Sequence, residues 1–190
     1  MSRKAGHATI CLMNTPDFAA SALEKARERL LAPTPLARDC GRLCGAACCR
    51  ADEQGRGGML LFPGEEALYR QRMPEGFAIT RDDGVLPGGR LLTCSGLCRR
   101  EDRPLACRLF PLAVFLDGAG EPEISLDPRA WPLCPLMPSG MAGLSAGFVE
   151  AARDAARMLA ELPEIRAFLA AQSAFLRRLQ QPLWKDGVAS

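Results

Sequence analysis

The spacing of apolar residues changes along this chain, and the changes mark out its elements. From Thr15 to Leu31, Ala19, Leu23, Ala26 and Leu30 recur at spacings of four, three and four with Ala22 alongside, which predicts one stripe of an amphipathic helix. Thr15 suits the cap, Pro16 the first helical position and Asp17 the positive end of the dipole, while Pro33 and Pro35 end the helix. The stretch GMLLFPGEEALYRQRMPEG reads as a short apolar strand ending at Phe62, a Pro63-Gly64 turn and a short helix from Glu65 to about Arg72. From Phe77 to Asp127 the pattern breaks into short extended pieces. Two β-like runs in LAVFLDGAGEPEISLD flank Gly118-Ala119-Gly120 and predict a hairpin.

After Pro138 the helical period returns. Ser139 to Leu162 places Met141, Leu144, Phe148, Ala152, Ala155 and Leu159 on one face, and Pro163 opens a further helix carrying Ile165, Phe168, Leu169, Phe175, Leu176 and Leu179. The two are expected to form an antiparallel pair. The tail from Gln181 to Ser190 is expected to fray, with Trp184 free to dock.

A hydrophobic share of 48% in 190 residues is enough for a core and argues against disorder. The formal charge of +2 is spread along the chain, so no field draws in nucleic acid or a membrane surface. The opening MSRKAGHATICLMNTPDF has too short an apolar run, cut by Asn14 and Pro16, for a signal segment, and no stretch approaches a membrane span. A cytoplasmic location is the expectation. Thiols stay reduced there, so a dense cysteine set points to metal or catalysis before disulfides.

Eight of the nine cysteines fall into two sets: Cys40, Cys44, Cys48 and Cys49, then Cys94, Cys98, Cys107 and Cys134. Three residues separate Cys40 from Cys44, Cys44 from Cys48 and Cys94 from Cys98, a gap that lets two thiolates of one turn grip one centre. Cys11, alone in the apolar TICLM, reads as core. The adjacent Cys48 and Cys49 bear on stoichiometry. In an extended segment neighbouring side chains point to opposite sides, so either one of them is a ligand or each serves a different centre. Eight thiolates then make two four-cysteine sites, whose members can be interleaved, or one site with spare sulfurs for redox or transfer chemistry.

The single histidine, His7, sits in the N-terminal stretch and reads as solvated. That excludes Cys/His zinc fingers, histidine-ligated catalytic zinc, Ser/His triads and Cys/His proteases within this chain. Sulfur-only ligation selects zinc or an iron-sulfur cluster. Cys134 followed by Pro135 matches the Cys-Pro ending of bacterial ferredoxin runs, and Leu43, Ala46, Ala47, Leu92, Leu97, Ala106 and Leu109 beside the cysteines would shield a cluster. Either centre with four thiolates brings net negative charge. Arg42, Arg50, Arg99, Arg100, Arg103 and Arg108 lie close in sequence. Arg99 and Arg100 read as solvated, while Arg103 and Arg108 bracket Pro104 to Cys107 and are the expected donors toward a cofactor.

The segment RPLACRLFPL, Arg103 to Leu112, preceded by Cys94 and Cys98 and by a loop ending in adjacent cysteines, resembles the CxxCxxCC cysteine-cluster family of zinc- or iron-chelating proteins, which includes the flagellin lysine-N-methylases. The resemblance runs through Cys40, Cys44, Cys48 and Cys49, Cys94 and Cys98, then Arg103, Pro104, Cys107, Arg108, Phe110 and Pro111, and ends at Cys134 and Pro135. It covers roughly Arg38 to Pro135. Both upstream gaps are three residues here, where the family name implies two. The resemblance implies metal binding, with an iron-sulfur centre (4Fe-4S) favoured among methylase-like members.

The expected fold is α+β: one domain over residues 1–190, with a metal-stapled, loop-rich cysteine core at 36–136 carrying a short hairpin, an N-terminal helix, and a C-terminal antiparallel helix pair at 139–181. Three functions are in play. The first is an iron-sulfur protein with redox or group-transfer chemistry, the second a structural zinc-binding interaction protein for an unidentified protein partner, and the third a lysine-methylase-like enzyme. GRGGM and LPGGR lack the strand-to-helix setting of nucleotide loops and read as turns.

Overall fold

A computed structural model of the chain describes residues 15–37, 40–49, 58–70, 72–96 and 98–180; Cys11, His7, Arg50, Leu97 and the tail with Trp184 lie outside them, as do the side chains of residues 15–18 and Arg42. The elements run α1 (Thr15–Arg29), α2 (Gly41–Cys44), β1 (Met59–Leu60), α3 (Ala67–Arg70), β2 (Ala78–Arg81), β3 (Arg90–Thr93), α4 (Leu105–Leu109), β4 (Leu112–Leu116), β5 (Pro122–Leu126), α5 (Ala146–Ala160) and α6 (Pro163–Gln180). The fold is α+β, as the pattern predicts.

The main core is built by the helical stripes. Leu23 and Ala26 of α1 with Leu30 just past its end, Phe148, Ala152, Ala155 and Leu159 of α5, and Ile165, Phe168 and Leu169 of α6 are all buried in one cluster with Val114 of β4 and Leu105 and Leu109 of α4. Each large side chain enclosed this way contributes about 1.5–3 kcal/mol. Leu179, expected on the same face, is 51% exposed, one turn past the last buried residue Leu176. α5 packs chiefly on α1 and on β5, and α6 on β4, so the C-terminal helices are walls of the common core rather than an annex.

The hairpin forms with Leu112 opposite Leu126 and Leu116 opposite Pro122. Its other edge is closed by α6. Gln172 donates to the Val114 carbonyl (3.2 Å), the Ser173 hydroxyl accepts from the Leu116 amide (2.9 Å), and Arg177 donates to the Leu116 carbonyl. Two buried polar side chains thus satisfy main-chain groups that a further strand would otherwise take.

Two expectations change. A three-stranded antiparallel sheet in the order β1-β3-β2 joins Met59 to Leu92 and Ala78 to Thr93, with Leu61, Tyr69 and Leu92 as a second small core. α5 begins at Ala146 rather than Ser139. Gly140 takes φ +61°, and two short 3-10 turns, Met137–Ser139 and Met141–Gly143, occupy the stretch where the helix was expected. The apolar spacing holds through this interruption, because Leu144 is still buried and Met141 still packs on the core.

Candidate metal centre

Three separate segments bring the eight candidate cysteines to one place. In the first, Cys40 precedes α2 and Cys44 ends it one turn later, so the two share a face. Gly45 and Ala46 then both take left-handed backbone, φ +58° and +57°, and reverse the chain into the 3-10 turn Ala47–Cys49. For alanine that conformation costs about 1–2 kcal/mol, a strain retained where the cysteine loop must turn back on itself. The doublet is therefore not extended, and the alternation expected of a strand does not apply. Successive side chains in a 3-10 turn fan about one third of a revolution apart, and the Cys48 and Cys49 sulfurs stand 4.0 Å from each other.

The second segment leaves β3 through Cys94 to Cys98. Gly96 between them takes φ +83°, and a Cβ placed on it would stand 3.4 Å from the Cys49 Cβ and carbonyl oxygen, so this loop runs beside the doublet. The chain then makes the 3-10 turn Arg100–Asp102 and enters α4, which carries Cys107. In the third segment, Asp127, itself buried, accepts from the Arg129 amide (2.9 Å) and pairs with its guanidinium (2.6 Å), capping the 3-10 turn after β5. The Cys134 amide donates to the Ala130 carbonyl at the end of that turn (2.8 Å).

α4 is held by a buried polar network. Glu65 is fully enclosed and accepts from the Leu105 amide (2.7 Å), the Phe62 amide (3.2 Å) and Arg27 (3.0 Å). Burial pushes its carboxyl up, against the pull of those hydrogen bonds and of the Arg27 charge. Arg27 also donates to Tyr69 (3.3 Å) and to the Glu101 carbonyl (3.1 Å), and Tyr69 donates to the Asp102 carbonyl (2.9 Å). Burial, then the charge of Glu65, pushes Tyr69 up to about 12. The segment from 101 to 105 is thereby clamped to α1 and α3, which fixes where Cys107 enters the site.

The two arginines expected to face a cofactor divide. Arg108 is buried and donates to the carbonyls of Arg103 (2.9 Å), Glu101 (2.8 Å) and Arg27. Burial, then the charge of Arg27, pulls it down to about 10, so its guanidinium serves chiefly to tie main chain together. Arg103 turns to sulfur. Its hydrogen bond to Cys98 pulls that thiol down against a stronger upward push from burial. Arg99 is on the surface, paired with Asp102 (2.9 Å) and Glu101 (3.1 Å). Arg100, expected to be solvated, instead donates to the carbonyls of Leu30 (3.0 Å), Leu31 and Pro33, where the end of α1 leaves them without helical partners. No sequence signal distinguishes Arg100 from Arg99, because the carbonyls it meets lie some 70 residues away.

All eight cysteines, Cys40, Cys44, Cys48, Cys49, Cys94, Cys98, Cys107 and Cys134, line a single cavity of about 450 Å³. None is in a disulfide. Leu92 and Leu109 beside them are buried, but Leu43 is 60% exposed and shields nothing. Four of these thiols, Cys48, Cys98, Cys107 and Cys134, are pushed upward. Burial, then Cys49, Cys98 and Cys94, pushes the Cys107 thiol well up; the hydrogen bond with Cys49, then burial and the Cys49, Cys44 and Cys40 thiols, does the same for Cys48. So many thiols repelling one another's ionisation is an arrangement that a cation relieves.

The donor set fits a soft metal or a cluster. A single zinc ion with four sulfur ligands at 2.3 Å needs sulfurs about 3.8 Å apart. Cys48 and Cys49 approach that, yet among the described residues no three cysteine, histidine, aspartate or glutamate side chains stand close enough to hold one ion. An iron-sulfur cluster keeps its thiolates farther apart, since its inorganic core lies between them. No helix among the described residues is long and apolar enough to cross a membrane. Comparison with known proteins adds no assignment: no family model, no curated protein and no solved structure matches the chain.

Proposed function

We propose that this chain is a metal-binding cysteine-cluster protein of a reducing compartment such as the cytoplasm, and that its eight cysteines hold iron-sulfur centres of the kind suggested by its resemblance to the CxxCxxCC family. The carrying observation is the convergence of eight reduced cysteines from three distant segments on one cavity. Buried structural thiols have no reason to gather this way, since a free cysteine packs as a small apolar side chain wherever space allows. What supports a cluster over a bare ion is the sulfur-only donor set together with the resemblance.

When bound, such a cluster supplies one-electron chemistry. The chain's own residues do the rest. Arg103 donates to sulfur at Cys98 and so stabilises thiolate there. The Glu65 network sets the position of Cys107, and the apolar walls Phe110, Leu92 and Leu136 limit water around the site.

Anaerobic purification with iron, zinc and acid-labile sulfide analysis tests this reading. The expected result is brown protein with equal iron and sulfide and a visible band lost in air. Colourless protein with about two zinc ions per chain selects the structural zinc reading instead.

A further inference from the structure

From Ala130 to Val149 the chain runs for 20 residues without one charged side chain, although charged residues make up 24% of the sequence and about five would fall in such a stretch. One side of the stretch is core: Ala130, Leu136, Met137 and Leu144 are buried. The other side is open. Trp131 is 61% exposed and Leu133 43%, and Pro132, Pro135, Pro138 and Ala142 are exposed with them. Scattered apolar residues are ordinary on a surface, but a chargeless run with a tryptophan and a leucine outward is the composition of a contact face.

The run is compact and sits against the sulfur-lined cavity. It folds as successive short turns, in which the Met137 amide donates to the Cys134 carbonyl (3.2 Å), the Gly140 amide to Met137 (3.1 Å) and the Gly143 amide to Gly140 (3.2 Å). Leu133 and Pro135, on either side of Cys134, line the cavity while remaining exposed, so the face reaches the cavity rim. At the other end of the run the Ser145 amide donates to the carbonyl of Pro35 (2.8 Å), a further lining residue.

Charge selects what covers this face. A surface of anionic lipid is held by lysine and arginine, and a transient partner is steered by complementary charge; residues 130–149 offer neither. Arg129, next in sequence, is already paired with the buried Asp127 (2.6 Å). A chargeless apolar face is instead complementary to itself, because two copies related by a two-fold axis bring no like charges together. We propose that this face is the contact between two copies of the chain, with Trp131 and Leu133 at its centre, and that each copy covers the rim of the other's cavity at Leu133 and Pro135. A stable contact of this kind buries about 800 Å² per copy, and a central tryptophan is the side chain that most often anchors one. The pairing holds whichever metal the cysteines bind.

Sedimentation equilibrium of the full chain, purified anaerobically with its metal, tests the proposal over roughly 1–100 µM, the range in which contacts of modest size form. A dimer is expected. Trp131→Asp and Ala142→Asp, both outside the cavity lining, place a carboxylate against its own copy and should each weaken the association at least about a hundredfold, with iron, zinc and sulfide content equal to the parent's. Should either variant fail to fold, the unaltered face still reports. The chain has two tryptophans, so in Trp184→Phe the emission belongs to Trp131 alone and should move to shorter wavelength as dimer forms. A chain that is monomeric throughout this range overturns the proposal, as does a dimer that both aspartate variants leave intact or whose formation leaves the Trp131 emission unmoved. A monomer that sediments with phosphatidylcholine vesicles overturns it too and gives the face to lipid. Metal analysis decides the reading proposed above, and association decides this one, so the failure of either is told apart from the failure of the other.

Discussion

The two halves of this molecule are held together by different means. In the helical half, all five residues of β4 and eight of the 15 residues of α5 are buried, and the interlocking apolar stripes supply most of the enclosed surface. In the cysteine half, no described side chain between residues 40 and 49 is fully buried, and the segment instead borders a cavity lined with sulfur. The first half is closed by apolar burial. The second has too little of it, and on the proposed reading a bound centre would supply the missing core.

If so, removing the metal should affect the halves very unequally. Stripping it by chelation should abolish hydrogen-exchange protection around 40–49 and 94–98, while β4, α5 and α6 keep theirs, because ligand binding here is folding free energy of several kcal/mol. Equal loss in both halves would break the comparison. The converse perturbation is Phe148→Ala, which opens a void in the fully buried wall of α5. It should cost about 3–5 kcal/mol by denaturant unfolding, in loaded and metal-free protein alike.

The joint between the halves is Glu65. Glu65→Ala leaves Arg27 and the Leu105 and Phe62 amides without their acceptor and should cost about 3 kcal/mol. Metal retention should weaken with it, since α4 carries Cys107. Glu65 also has a pH signature. Its carboxyl is pushed up from the ordinary 4.5 by burial, so the folded state favours the protonated form. The stability this contributes is complete below pH 4.5 and is lost as pH rises through the folded value, and Glu65→Gln should flatten that part of the stability curve. The smallest effect is at Ala46. Ala46→Gly removes the cost of left-handed alanine and should stabilise the chain by about 0.5–1 kcal/mol, net of the greater freedom of glycine when unfolded.

What the sequence revealed follows the same division. The stripes of α1, α5 and α6 were legible because burial on one face imposes a period, and the hairpin because Gly118 to Gly120 separates two apolar runs. The eight cysteines were legible from spacing, and they do share one cavity. The three-stranded sheet was not. β1 has only two residues and β2 is mostly exposed, so neither shows an alternation to read. The geometry of Cys48 and Cys49 depends on the left-handed turn at Gly45 and Ala46, which alanine does not advertise. Arg100, Arg108 and Glu65 owe their roles to main-chain groups far along the chain, and residue type alone cannot point to them.

The central claim is that the sulfur-lined cavity exists to hold an iron-sulfur centre, and the most direct measurement is the metal and sulfide content of anaerobically purified full-length protein, read with its visible spectrum. The account predicts iron and sulfide in equal amounts, with a visible band that bleaches in air. A colourless protein without iron or sulfide, its thiols all open to alkylation, would contradict it.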